Sequence, residues 1–137
     1  MNTQAKVEQE LRSHGVKPTP QRIEIGAVLL ARPCHMSADQ ILGALRATGS
    51  RVSKATVYNT LNLFSRQGIV REVAVDPTHL VYDSTTAAHH HVFNIDTGEL
   101  TDIDSDALEI NGLPDLPAGT RAESVELIVR VRNIESG

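Results

Sequence analysis

Aromatic residues are scarce in this sequence: two Tyr, two Phe and no Trp, 3% of 137 residues. A core must therefore be built from Val, Ile, Leu and Ala. The hydrophobic share is still 40%, too high for a disordered chain. Cysteine is limited to Cys34. One thiol excludes an internal disulfide framework and any multi-Cys zinc site within one chain, and it fits a reducing, cytoplasmic setting. No apolar run approaches the ~18 residues of a membrane span. The opening Met-Asn-Thr-Gln-Ala-Lys leads into polar sequence, so no signal peptide is expected. The length fits one or two small domains.

An overall excess of positive charge is missing too. Thirteen Lys+Arg face 17 Asp+Glu, a net charge of −4, which on average disfavours a nucleic-acid partner. The distribution reverses that inference. Residues 1–72 hold ten Lys+Arg and five Asp+Glu, a net of +5, whereas residues 73–137 hold three and twelve, a net of −9. Such asymmetry suggests units with different partners, and we place them at 1–84 and 85–137. The basic unit suits DNA phosphates. The acidic unit suits a metal cation. Two merely solvated surfaces are the plain alternative.

Helix signals dominate the basic half. Thr19-Pro20 offers an N-cap followed by Pro at the first helical position. Ile23, Ala27 and Leu30 follow at helical spacing, and Pro33 ends the run. Ser37 with Gln40 reads as a capping box. Ile41, Leu42 and Leu45 supply the next apolar face, and Gly49 suits the position after the helix. Ser53 caps another helix, with Val57, Leu61 and Phe64 on one face and Gly68 closing it. Thr56, Tyr58, Asn59 and Asn62 fall outside that face. An N-terminal helix before residue 18 would turn Val7 and Leu11 inward. Ile69–Val75 and Leu80–Asp83 then change to strand character around Asp76-Pro77-Thr78-His79. Helices followed by a hairpin describe a winged helix-turn-helix, with the Ser53 helix entering the major groove. Lys17, Arg22, Arg51 and Lys54 stand near helix starts, where phosphate contacts arise. A small protein-binding bundle is the competing reading.

The acidic half reads as a small three-stranded sheet. His89–Ile95 forms a strand, Asp96–Glu99 a turn and Leu100–Ile103 the return. Ser105–Ile110 would give a turn or two of helix, and Ser124–Val131 a third strand. Val125, Leu127, Val129 and Val131 share one face of it, while Ile128 interrupts the polar face, as a contact with a second subunit would require. So small a unit buries little core alone. A homodimer would supply the missing burial, and it suits a palindromic DNA site with two half-sites.

Histidine carries the chemistry. His89 and His91 are two apart on a strand, so their rings share a face, and His90 points to the other. Asp102 lies across the turn, Asp83 ends the wing, and His35 precedes the Ser37 helix. These five give three imidazoles and two carboxylates, a set that suits Fe(II), Mn(II) or Zn(II). Donors from both units on one ion would fix the orientation of one unit against the other. A hydrogen-bonded surface His cluster is the alternative. A catalytic ion would need an open position, which five protein ligands leave little room for, so a small metalloenzyme is the lesser reading and no catalytic residue is assigned. A winged helix that binds protein in place of DNA is a further one.

Lys17-Pro-Thr-Pro-Gln-Arg22, Cys34-His-Met-Ser-Ala-Asp39, Ser53-Lys-Ala-Thr-Val-Tyr-Asn-Thr-Leu61 and His89-His-His91 together resemble the ferric uptake regulator superfamily, over about Gly15 to Arg132. The resemblance implies an α+β chain: an N-terminal winged helix-turn-helix, then a small α/β dimerisation domain with a three-stranded sheet. It implies a dimeric, metal-responsive transcriptional regulator, a repressor of iron-homeostasis or peroxide-stress genes. The partner would be a palindromic, A/T-rich double-stranded operator. The regulatory metal site falls on His35, Asp83, His89, His91 and Asp102. Tyr58 falls on a base-contacting position and Lys17 on one near the minor groove; Arg22, Arg51, Ser53, Lys54, Thr56 and Asn59 complete the expected DNA face. A further metal or haem site has partial equivalents in His90 and Glu109. Many relatives carry two Cys-x-x-Cys pairs that hold a structural zinc; here Asn94 and Thr97 occupy the first pair's positions and the second pair is missing. The cysteine-free His89-His-His91 strand, the Asp96-Thr-Gly-Glu99 turn and the short Gly/Pro-rich connection are most similar to the iron response regulator branch, whose members sense iron status partly through haem. By that likeness, haem binding would release DNA. Asp102 is also similar to the peroxide-sensing branch. Cys34 beside His35 is read as an inert, buried thiol, with a redox or haem-ligand role as the alternative.

Overall fold

A computed structural model describes residues 3–31, 34–76, 79–87 and 89–135. The chain divides into two units, Met1–Thr86 and Ala87–Gly137. Pro33 and the Pro77-Thr78 turn lie outside the described residues.

The first unit opens with α1 (Thr3–Ser13), which buries Val7 and Leu11 one turn apart. α2 (Pro20–Leu30) starts where Thr19 Oγ1 accepts the Arg22 amide at 3.3 Å, with Pro20 at the first helical position. Its buried residues are Ile25, Gly26 and Leu29, while Ile23, Ala27 and Leu30 are only half-buried. The expected face was rotated, because this helix is apolar nearly all round and its period does not single out one side. Packing decides instead: a Cβ on Gly26 would lie 2.7 Å from Val7 Cγ1, so α1 takes the face where α2 has no side chain.

β1 (His35–Met36) precedes α3 (Ala38–Ala47). α3 begins with the full capping box: Ser37 Oγ accepts the Gln40 amide at 3.1 Å and Gln40 Oε1 accepts the Ser37 amide at 2.9 Å. Beyond the helix, Gly49 takes φ +84, which lets the Ser50 amide bond back to Leu45 O at 3.0 Å. α4 (Lys54–Arg66) is capped by Ser53 and buries Val57, Thr60, Leu61 and Phe64. Each such cap is worth about 1 kcal/mol. The core joins these faces with Ile41, Leu45, Ile69 and Val70.

β2 (Arg71–Asp76) and β3 (His79–Asp83) form the hairpin of the wing. Sheet order is β1-β3-β2, so β3 is the central strand. The sequence offered no period for β1, which has only two residues. Its pairing with β3 nevertheless sets His35 opposite Asp83 and Met36 opposite Tyr82.

The second unit contains β4 (His90–Asn94), β5 (Leu100–Ile103) and β6 (Ile128–Val131), in the order β5-β4-β6. β5 runs antiparallel to β4 and β6 parallel to it. Three expectations are corrected. His89 stands just before β4, not within it. The helix expected over 105–110 is a single 3-10 turn, Ser105–Ala107, at whose start Asp104 Oδ1 takes the Asp106 amide at 3.2 Å; Leu108 beyond it is extended, and Glu109 and Ile110 are exposed. The last strand is half its expected length; Val125 and Val129 are exposed while Ile128 and Val131 are half-buried. Phe93 and Leu100 are the buried apolar residues among those described, so this unit has too little core to order a longer edge strand. No described helix is long and apolar enough to cross a membrane.

Candidate metal centre and nucleic-acid face

In the first unit, the β1–β3 ladder brings His35 Nε2 to 3.1 Å from Asp83 Oδ2. Asp83 is 1% exposed, and a buried carboxylate must be bonded on all sides. Its other oxygen, Oδ1, accepts the Thr85 amide at 2.8 Å. This is an Asx turn, a role for Thr85 that sequence reasoning missed although Asp-Ser-Thr carries its signature. The ladder extends by one residue through Ser84: its amide donates to Cys34 O at 3.2 Å, and Cys34 N donates to Ser84 Oγ at 3.0 Å. Cys34 Sγ donates to Leu29 O at 3.4 Å, and the thiol expected to be buried is only partly so, packed against the edge of the core.

In the second unit, alternation along β4 turns His91 and Phe93 to the buried face. His91 is 2% exposed and is the cross-strand partner of Asp102. The rings of His89 and His91 lie 4.3 Å apart, centroid to centroid. Asp102 Oδ1 is 2.9 Å from His89 Nε2 and 3.4 Å from His91 Nε2. His89 Nδ1 lies 2.6 Å from Ala87 O. A carbonyl only accepts, so that nitrogen carries a hydrogen, and Nε2 faces Asp102. Backbone bonds of this kind orient metal-ligating imidazoles. An imidazole nitrogen facing a carboxylate oxygen can share a proton or a metal cation with it. The donors, imidazole nitrogen and carboxylate oxygen, fit Fe(II), Mn(II) or Zn(II). The donor atoms of each set lie within 4.8 Å of one another.

The remaining candidates separate. His90 Nδ1 accepts the Leu127 amide at 2.8 Å. Glu109 is exposed beyond the 3-10 turn, and neither residue joins a donor group among the described residues.

The outer face of α4 carries the nucleic-acid candidates. Lys54, Tyr58 and Asn59 are exposed, with Lys54 Nζ 5.8 Å from the Tyr58 ring centre and 3.9 Å from Asp39 Oδ1. Ser53 and Thr56 are occupied with each other: Ser53 Oγ accepts the Thr56 amide and donates to Thr56 Oγ1 at 2.9 Å. They set the start of the helix. Arg22 donates to Lys17 O at 3.0 Å, which ties its side chain to the backbone before α2; Lys17 and Arg51 are exposed. An open groove of about 560 Å³ follows along α4, lined by Asn59, Asn62, Ser65, Arg66 and, from β2, Glu72. Asn62 and Arg66 were outside the expected contact set although helical spacing puts them in line with Asn59.

Comparison with known proteins gives one family. Residues 13–128 match the model of the Ferric uptake regulator family. A peroxide-responsive repressor of Staphylococcus saprophyticus is 38% identical over 92 residues, 67% of this chain and 62% of the repressor; the match thus spans under two thirds of that relative's length. The ferric uptake regulator of Pseudomonas aeruginosa, solved with manganese, is 29% identical with a TM-score of 0.68, covering 93% of this chain and 98% of that one. The regulator of Vibrio cholerae, whose structure reveals a rearrangement of its DNA-binding domains, is 26% identical with a TM-score of 0.73, covering 92% and 98%.

Proposed function

This chain belongs to the ferric uptake regulator family, and we propose that it is a metal-responsive, DNA-binding repressor that works as a homodimer. The observation that carries this reading is the pair of His/Asp donor sets, His35 with Asp83 and His89 with His91 and Asp102. Neither set alone completes the shell of a transition metal. Shared by one divalent ion, they would tie the DNA-reading unit to the dimerisation unit. Likeness to a peroxide-responsive repressor and to a regulator solved with manganese supports Fe(II) or Mn(II) as the ion, and iron or peroxide status as the signal.

A bound ion supplies positive charge and a fixed coordination geometry. The residues do the rest. Buried Asp83 and His91 hold their donors rigidly, and His89 is aimed by the Ala87 carbonyl. Metal can bias DNA binding only by the difference in its affinity for the competent and incompetent arrangements; a ten-fold shift takes about 1.4 kcal/mol. On the DNA side, α4 presents Tyr58 and Asn59 to base edges, with Lys17, Arg22, Arg51 and Lys54 on phosphates. The operator is expected to be palindromic and A/T-rich.

The test is an operator selected from random DNA, titrated in the presence of Fe(II), Mn(II), Zn(II), haem or peroxide, with bound metal measured on the same sample. Metal-dependent, salt-sensitive binding is expected, and the His89→Ala plus His91→Ala variant should lose the metal dependence while remaining a folded dimer. Unchanged metal dependence in that variant would overturn the site. Turnover of a substrate without specific DNA binding would favour an enzyme instead.

A further inference from the structure

β6 poses a packing problem. It is a four-residue edge strand joined in parallel to β4, its own residues half-buried at best. Parallel pairing of so short a strand contributes little. Polar fixings stand at both of its ends. At the start, Leu127 N–H donates to His90 Nδ1 at 2.8 Å, and His91 N–H donates to Leu127 O at 3.1 Å. At the finish, Asn133 N–H donates to Asp96 Oδ2 at 2.8 Å, and Asn94 Nδ2 donates to Asn133 Oδ1 at 2.9 Å. The Asn94 amide is itself held, since its Oδ1 accepts the Asp96 and Thr97 amides.

We propose that His90 is a positioning residue: its Nδ1 seats β6 on β4 and thereby fixes the strand that carries His91, so His90 ligates no ion. The chemistry follows from the donor. A backbone amide can only donate, so His90 Nδ1 is unprotonated and the neutral ring carries its hydrogen on Nε2. Such a ring has used its one lone pair. Nothing is left on it for a metal or a haem iron while the Leu127 bond holds. Strand alternation agrees, because His90 points away from the face that His91 shares with Asp102. The Asn94–Asp96–Asn133 clasp does the same work at the other end with no titrating group on Asn94 or Asn133.

One readout of this inference rests on the metal reading of His91; the others do not. Three variants separate the roles of the two ring nitrogens. In His90→Asn the side-chain oxygen can stand near the place of Nδ1. In His90→Gln the terminal group stands near the place of Nε2. His90→Ala removes both. Amide exchange at Leu127 and the thermal midpoint are measured on metal-free protein, and Mn(II) affinity on the same variants. The Ala and Gln variants should exchange the Leu127 amide about five-fold faster, the worth of one hydrogen bond. They should also melt earlier and bind Mn(II) more weakly, and His90→Asn should restore all three. The opposite pattern, with Gln restoring and Asn failing, makes His90 an Nε2 ligand and overturns the proposal. So does unchanged Leu127 exchange in the Ala variant. If the Ala variant does not fold, the Asn and Gln pair decides, since both fill the space. A wild-type chain that binds no Mn(II), Fe(II) or Zn(II) sinks the metal reading and leaves exchange and melting to judge His90.

Discussion

His35 and Asp83 are cross-strand partners at one edge of the wing sheet, and their side chains meet at 3.1 Å. A two-residue strand is thus enough to carry a donor from the loop before α3 to the end of the wing. Its histidine gains a defined orientation, and a fully buried carboxylate gains one of its partners.

That relationship should make Asp83 the most sensitive donor of the proposed metal site. In Asp83→Asn the side-chain oxygen can still accept from Thr85, but the negative charge is gone. Metal affinity should fall by at least ten-fold, by analogy with losses of about 10–100-fold for lesser changes around metal sites. Asp83→Ala should in addition destabilise metal-free protein by about 1–3 kcal/mol, because the Thr85 amide and His35 lose a buried partner. Calorimetric metal titration and denaturant melts separate the two effects. Equal metal affinity in Asp83→Asn and wild type would remove Asp83 from the donor set.

Gly26 is expected to resist the usual helix-stabilising change. Ala at a helical glycine normally gains about 1 kcal/mol. Here the added methyl would sit 2.7 Å from Val7 Cγ1, and Val7 is a stiff, buried, β-branched side chain. Overpacking costs about 1–3 kcal/mol, so Gly26→Ala should lower stability. Gly26→Ala combined with Val7→Ala should recover part of it, a coupling that a double-mutant cycle measures.

Alkaline solution should loosen the first unit through Tyr82. Burial pushes its phenol above the ordinary value of 10.0, with smaller upward contributions from Glu72 and Tyr58. The folded chain therefore holds that proton more tightly than the unfolded chain. Stability is full below pH 10.0 and falls as pH rises from there through the raised value. Tyr82→Phe should flatten this part of the curve. Urea melts between pH 8 and pH 11 check it, and an equally steep decline in the variant would assign the loss to other groups.

Lys54 and Tyr58 are adjacent on α4 but should fail differently. Lys54→Ala should weaken binding to all sequences and reduce the salt slope by about one. Tyr58→Ala should leave the slope nearly unchanged and relax preference at one position of each half-site, costing about 1–3 kcal/mol there. Anisotropy titrations over a salt series on matched and mismatched operators distinguish the two.

Much of the fold was legible because its devices are local. Thr19, Ser37 and Ser53 announce helix starts by bonds that span only three residues. α3 and α4 are amphipathic, so their buried faces follow from spacing. α2 is apolar on most sides, and only α1 and the bare backbone of Gly26 decide which side is buried. β1 is too short to have a period, and its register with β3 depends on residues nearly fifty positions apart. The meeting of His89, His91 and Asp102 follows from alternation and a tight turn. Ala87 acts through its carbonyl, which carries no side-chain signature, and the Asn133 clasp depends on a segment returning to a turn 37 residues earlier.

The sheet order has a mechanical meaning. β3 pairs with β2 from His79 to Asp83 and has a second neighbour, β1, at Tyr82 and Asp83. A strand so flanked cannot creep along its neighbours, because a slip of one residue would invert every side chain. A displacement imposed at Asp83 would therefore pass along the β2–β3 ribbon as a tilt. The wing would behave as a plank, with Asp83 at one end and Asp76 and His79 at the other.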